Sequence, residues 1–180
     1  MNTIVAVDKN YGIGRNGELL FSIPEDMRYF REMTFGKTVI MGRRTLQSLP
    51  EGKPLKNRRN IVFSRDRRMT VSGAQMVHSV SELASLLGEA TDAFVIGGEA
   101  IYGELLNYCR RAYITMVDAD GKADRFFPNV EQMKNWTLES ASEWKEHDGL
   151  RYQFRVYLNG DVTPAEIYNA CGYMTEYCRL

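Results

Sequence analysis

The sequence has few of the residues that build metal centres and disulfide frameworks. Its 180 residues include only three cysteines (Cys109, Cys171 and Cys178) and two histidines (His78 and His147). The cysteines are odd in number and lack C-x-x-C spacing, so reduced thiols are expected rather than a disulfide framework or a zinc site. The two histidines lie far apart, and no metal is expected. An excess of either charge is also missing. Lys+Arg and Asp+Glu both total 23, which argues against broad binding to nucleic acid or a membrane surface, although local basic clusters remain possible. No apolar run approaches bilayer-spanning length. The start, MNTIVAVDKN, lacks the basic and apolar regions of a signal peptide, so a cytoplasmic protein is expected. Repeats, low-complexity tracts and internal linkers are absent too. What remains is an ordinary globular composition, 44% hydrophobic and 26% charged, long enough for one domain with a substantial core.

Short β-rich runs alternate with helical patterns. TIVAV (3–7), TVIM (38–41), NIVFS (60–64), AQMVH (74–78) and AFVIG (93–97) read as buried strands. Residues 23–34, 42–48, 80–88 and 98–107 read as helices, with Ser79 or Ser81 capping the third. After RAYITMV (111–117), longer alternating segments near 135–143 and 150–158 flank a turn-like HDG (147–149). They predict an antiparallel hairpin at the edge of a mainly parallel α/β sheet. At the end, Thr163-Pro164 reads as a helix start. Ile167, Ala170, Cys171, Met174 and Cys178 follow at helical spacing, which predicts a C-terminal helix packed on the domain or on a partner.

The stretch LLFSIPEDMRYF (19–30) places two carboxylates side by side at the start of a helix. Ser22 and Glu25 have the S-x-x-E form of a capping box. At about 100° per residue, Ile23, Met27, Phe30 and Thr34 fall on one stripe, with Glu25, Arg28 and Glu32 opposite. Asp26 belongs to the apolar stripe. One reading is favourable interaction with the helix N-terminus. The other is an acid at the floor of a pocket, its pKa raised by desolvation, able to accept two parallel hydrogen bonds from an amidine-like ligand.

Other chemistry gathers at strand ends. TVIMGRRT (38–45) and VIGGEAIY (95–102) each run from a strand through glycine into a helix, where a ligand phosphate can approach the backbone. Neither is the G-x-G-x-x-G dinucleotide fingerprint. FSRDRR (63–68) adds Ser64 and Arg65. Parallel strands present their carboxyl ends on one side, so Arg43, Arg44, Ser64 and Arg65 are candidates to surround a phosphomonoester. The glycine-rich YGIGRNGEL (11–19) is either a mobile lid or a passive connection.

Taken in order, IVAVDKNYGIG, IPEDMRYF, VIMGRRT, LPEGKPLKNRRNIVFSR, VIGGEAIY, and AYITMVDA followed by FFP resemble dihydrofolate reductase from about residue 3 to 159. The resemblance implies a central, mainly parallel twisted sheet with an antiparallel C-terminal edge hairpin, flanked by helices. The domain would span 1–160, with 161–180 as an added helical extension. It implies an NADPH-dependent oxidoreductase of one-carbon metabolism that delivers hydride to C6 of dihydrofolate while N5 gains a proton. Dihydrofolate and antifolate-type ligands would be its partners, and a monomer is expected.

The resemblance also implies site residues. Asp26 matches the acid that binds the pterin 2-amino group and N3 and promotes N5 protonation, and Thr115 the threonine that hydrogen-bonds it. Ile4, Val5, Leu19, Met27, Phe30, Leu49, Leu55 and Ile96 match the substrate pocket. Arg58, rather than its neighbour Arg59, matches the arginine that pairs the α-carboxylate of the glutamate tail. Ala6, Ile13, Gly42, Arg43, Arg44, Thr45, Ser64, Arg65, Ile96, Gly97, Gly98, Ala100, Ile101 and Tyr102 match NADPH contacts, with a cis Gly97-Gly98 bond. Residues 11–19 match the loop that closes over nicotinamide. One departure stands out. Leu20-Phe21 replaces the usual Pro-Trp, so Phe21 lacks the indole N–H that helps to place a water and the loop. Two rivals remain: another pterin or pyrimidine reductase of this fold, such as that of riboflavin synthesis, and a non-catalytic folate- or nucleotide-binding protein.

Overall fold

The computed structural model describes residues 1–88 and 92–162. The expected C-terminal helix, with Thr163, Pro164 and the apolar positions that follow, lies outside the described residues.

The main sheet contains β1 (Asn2–Val7), β4 (Thr38–Gly42), β5 (Arg59–Phe63), β6 (Ala74–Val77), β7 (Ala93–Gly97), β8 (Arg111–Val117), β10 (Trp136–Ala141), β11 (Lys145–His147) and β12 (Leu150–Asn159). Its order is β10-β12-β8-β1-β7-β4-β5-β6, with β11 also paired to β12. From β8 to β6 every pairing is parallel, while β12, β10 and β11 are antiparallel. The mainly parallel sheet with an antiparallel C-terminal edge therefore matches expectation. HDG joins β11 to β12, with Asp148 and Gly149 both at positive φ, as a two-residue hairpin turn requires.

Alternation within the strands separates two cores. On one face Ile4, Val39, Met41, Val62, Phe94 and Ile96 pack against Tyr29, Phe30 and Met33 of α1 (Pro24–Thr34) and Leu46 of α2 (Arg43–Ser48). On the other, Val5, Val7, Ile40 and Ile61 meet Leu83 of α3 (Val80–Leu87) and Ile101 and Leu105 of α4 (Glu99–Leu105). Ser79 caps α3, its hydroxyl accepting from the Glu82 amide. Buried Val, Ile and Phe on both faces account for the near-continuous apolar strands of the sequence.

The glycine-rich segment differs from an open loop. It forms β2 (Gly12–Arg15) and β3 (Glu18–Leu19), and β2 pairs with both β3 and β9 (Arg125–Phe126) in a small antiparallel sheet. Close packing explains two of its glycines. A Cβ on Gly12 would lie 2.3 Å from the Ala123 Cβ, and one on Gly14 would lie 2.9 Å from the Glu18 carbonyl. Only Gly17, at φ +87°, serves the turn by its backbone freedom.

Candidate active site

Helix α1 begins at Pro24, whose fixed φ suits the first helical position. The predicted capping box is not formed. Ile23 occupies the cap position and no side chain caps the helix. Glu25 turns instead to the C-terminal hairpin, where its carboxylate accepts from Lys145 Nζ at 2.5 Å and Tyr152 Oη at 2.6 Å. Two charge-assisted bonds to a neighbouring element outcompete a local bond to an exposed amide. Both partners hold the Glu25 carboxyl below the usual range.

Asp26, one residue on, turns towards the sheet. The Thr115 hydroxyl on β8 donates to its carboxylate, yet burial outweighs that bond and raises its pKa. Thr115 is itself buried and pairs in register with Ala6 of β1. The two adjacent carboxylates are thus driven in opposite directions, Glu25 by its hairpin partners and Asp26 by burial.

Around Asp26 the α1 face of the sheet brings together Ile4, Phe30, Leu49, Leu55 and Ile96 in one cluster. Met27 remains 44% exposed, so the predicted stripe is only partly covered, and Leu19 of β3 is 73% exposed. Val5 belongs to the opposite core, because successive strand residues face opposite ways, and leaves only its backbone to this side. Phe21 packs in a third cluster with Ile23, Val117 and Tyr152.

At the far end of α1, the Arg58 guanidinium donates to the Thr34 hydroxyl (3.3 and 3.4 Å), the Lys56 carbonyl (2.7 Å) and the Arg31 carbonyl (3.4 Å). It also lies 5.8 Å from the centroid of the half-exposed Phe35 ring. Partial burial, together with neighbouring Arg31, lowers its pKa. Arg58 makes no ion pair among the described residues, so it remains available to an anion. Arg59 is occupied elsewhere, by Gln75 (2.6 Å) and the Leu86 carbonyl (3.3 Å). Buried Asn60 holds the segment between, bonding the backbone of Leu55 and Arg58.

Glycine governs the other side. A Cβ on Gly42 would meet Ile101 Cγ1 at 3.0 Å, one on Gly98 the Thr45 Oγ1 at 3.2 Å, and one on Gly97 the Tyr102 ring at 3.3 Å. The Gly97-Gly98 bond is cis, as expected. Arg43, Arg44 and Arg65 are exposed and form no ion pair among the described residues. Ser64 is buried at the end of β5, and Ala100 is exposed on α4. Ile101 and Tyr102 are buried, the Tyr102 phenol donating to the Ile4 carbonyl at 3.0 Å. They support the glycines from beneath. Ala6 of β1 and Ile13 of β2 are half-buried.

The model for dihydrofolate reductase matches residues 1–159. The chain belongs to the dihydrofolate reductase family. Members of this family are NADPH-dependent oxidoreductases. The chain is 37% identical over 155 residues to the dihydrofolate reductase of Neisseria gonorrhoeae, covering 86% of this chain and 95% of that one. It is 34% identical over 156 residues to that of Bacillus subtilis, covering 86% and 91%. The dihydrofolate reductase from Enterococcus faecalis, solved with NADP(H) and RAB-propyl, has a similar fold. Its TM-score is 0.81 at 27% identity, with 89% of this chain and 96% of that one covered.

Within this dihydrofolate reductase fold, sequence reasoning missed Arg31, Phe35, Asn60, Lys145 and Tyr152. Arg31 carried a signal, since it stands one helical turn after Met27 and three residues before Thr34. Lys145 and Tyr152 carried none, because they meet Glu25 only through the register of the edge hairpin.

Proposed function

We propose that the protein reduces 7,8-dihydrofolate to 5,6,7,8-tetrahydrofolate with NADPH, consuming one proton. The observation that carries this reading is Asp26, a carboxyl on an apolar face with a raised pKa and Thr115 as hydroxyl partner. The family membership of residues 1–159, with Asp26 and Arg58 in the same chain, supports it over a pyrimidine reductase of this fold.

When bound, NADPH supplies the hydride that C6 of the pterin accepts. The glycine cradle fits such a cofactor, because Gly42, Gly97 and Gly98 lack the side chains that would fill the space beside the backbone. Thr45 and Ala100 border that cradle, while Arg43, Arg44 and Arg65, which form no ion pair among the described residues, make with Ser64 a basic edge suited to a 2′-phosphate. Asp26 binds the pterin 2-amino group and N3 through parallel hydrogen bonds. Burial raises its carboxyl pKa above the ordinary aspartate value, and it promotes protonation at N5 with a water as the immediate donor. Ile4, Met27, Phe30, Leu49, Leu55 and Ile96 exclude water from the ring and benzoyl group, with Leu19 closing from β3. Arg58, oriented by Thr34, takes the α-carboxylate of the glutamate tail.

The test follows NADPH oxidation with dihydrofolate for the wild type and Asp26→Asn. Turnover by the wild type, with severe loss in the variant at neutral pH, is expected. No turnover by folded wild type would overturn the reading, and near-normal turnover by Asp26→Asn would remove the role given to Asp26.

A further inference from the structure

Helix α1 presents Asp26 from its first turn, yet that turn has no side-chain cap of its own. Its placement depends on what it touches. Asp26 reaches β8 through Thr115. Glu25 reaches β12 through the Tyr152 phenol (2.6 Å) and β11 through Lys145 Nζ (2.5 Å). Tyr152 pairs in register with Val117, two residues beyond Thr115 on β8, so the two attachments fall on adjacent strands two residues apart in register. The Tyr152 ring is buried with Ile23 and Val117, immediately before the helix. Lys145 is fixed in turn above the Phe154 ring (5.4 Å), and Phe154 packs against Tyr29 of α1 with centroids 4.7 Å apart.

We propose that Glu25 is a positioning residue: gripped by Tyr152 and Lys145, it pins the first turn of α1 to the edge hairpin and keeps Asp26 seated at Thr115. This inference rests on the catalytic role proposed for Asp26. It explains a carboxylate that the helix does not use as a cap. It also uses the opposite shifts of the two acids. Lys145 and Tyr152 hold Glu25 below the usual range and so favour the anion that makes the grip, whereas burial raises the pKa of Asp26. The ionisable groups around the pair are Arg28 on α1, Lys145 on β11 and Tyr152 on β12 beside Glu25. Tyr29 on α1 senses Tyr113 of β8 and Asp26, and Tyr102 on α4 senses Asp26.

Releasing the grip lets the turn lift and water reach Asp26, so its raised pKa relaxes towards the ordinary value. Tyr152→Phe removes only the hydroxyl and keeps the ring. Glu25→Gln keeps the shape and removes the charge. Single-turnover hydride transfer is measured from mildly acidic to mildly alkaline pH for both variants, the wild type and Asp26→Asn. Asp26 ionisation is followed separately by carbon NMR of ligand-free protein labelled in its aspartate carboxyls.

The expected result is a midpoint lowered by about half a pH unit in both variants, seen as an about threefold slower rate at neutral pH. The acid plateau should equal that of the wild type, and the NMR midpoint should move by the same amount. A purely structural role would lower the rate at every pH and leave the midpoint in place, and that outcome overturns the proposal. If one variant fails to fold, the other decides by the same criterion. Should Asp26→Asn itself keep the wild-type profile, the role of Asp26 fails. Should Asp26→Asn lose the profile while Tyr152→Phe and Glu25→Gln retain it, only the positioning role fails.

Discussion

The Thr115 hydroxyl on β8 donates to the Asp26 carboxylate on α1, joining the helix to the sheet at the one acid on the apolar face. Asp26 has a folded pKa raised above its unfolded value, so its ionisation on the folded protein costs stability as pH rises through that interval. The bond from Thr115 favours the ionised form and reduces the cost. Thr115→Val should therefore destabilise the protein more at alkaline than at acidic pH, by about 1–3 kcal/mol at the alkaline end. Urea unfolding at several pH values checks this.

Arg58→Leu should raise KM for dihydrofolate about ten- to hundredfold, the loss of a charge-assisted pairing, with a smaller effect on kcat. Arg59→Leu should leave KM near the wild-type value, because Arg59 is spent on Gln75 and Leu86. Steady-state kinetics of the two variants separate the neighbours.

Gly12→Ala should destabilise the protein by about 1–3 kcal/mol and slow turnover, since the new methyl meets Ala123 at 2.3 Å. Combining it with Ala123→Gly should restore part of both, because the new methyl would still lie 3.0 Å from the Asp8 carboxylate. Denaturant midpoints and turnover of the single and double variants test whether packing, rather than backbone freedom, selects this glycine.

Phe21→Trp should raise the single-turnover rate at neutral pH. Phe21 is already packed with Ile23, Val117 and Tyr152, and tryptophan keeps that apolar area while adding an N–H donor. Turnover and dihydrofolate affinity both unchanged would show that position 21 has no such part.

Much of this was legible in the sequence because it is local. Strands β1, β4, β5, β6, β7 and β8 announced themselves as Val- and Ile-rich runs, and Gly42, Gly97 and Gly98 marked their carboxyl ends. Helical spacing alone placed Asp26 on the apolar stripe. What escaped is non-local. Glu25 has the spelling of a capping box, but its partners lie 120 and 127 residues away and arrive through the register of β11 and β12. Strands β3 and β9 are two residues each, too short for any periodicity. Asn60 reads as one residue of a strand, although its side chain fixes the segment bearing Arg58.

The central claim is that Asp26 governs proton supply to the substrate. Its most direct test is the pH dependence of single-turnover hydride transfer in the wild type and Asp26→Asn. The wild-type rate should fall as pH rises through a midpoint above the ordinary aspartate value. The Asp26→Asn rate should be far lower at neutral pH and should recover only as acid supplies the proton directly. A variant whose profile superimposes on that of the wild type would contradict the account.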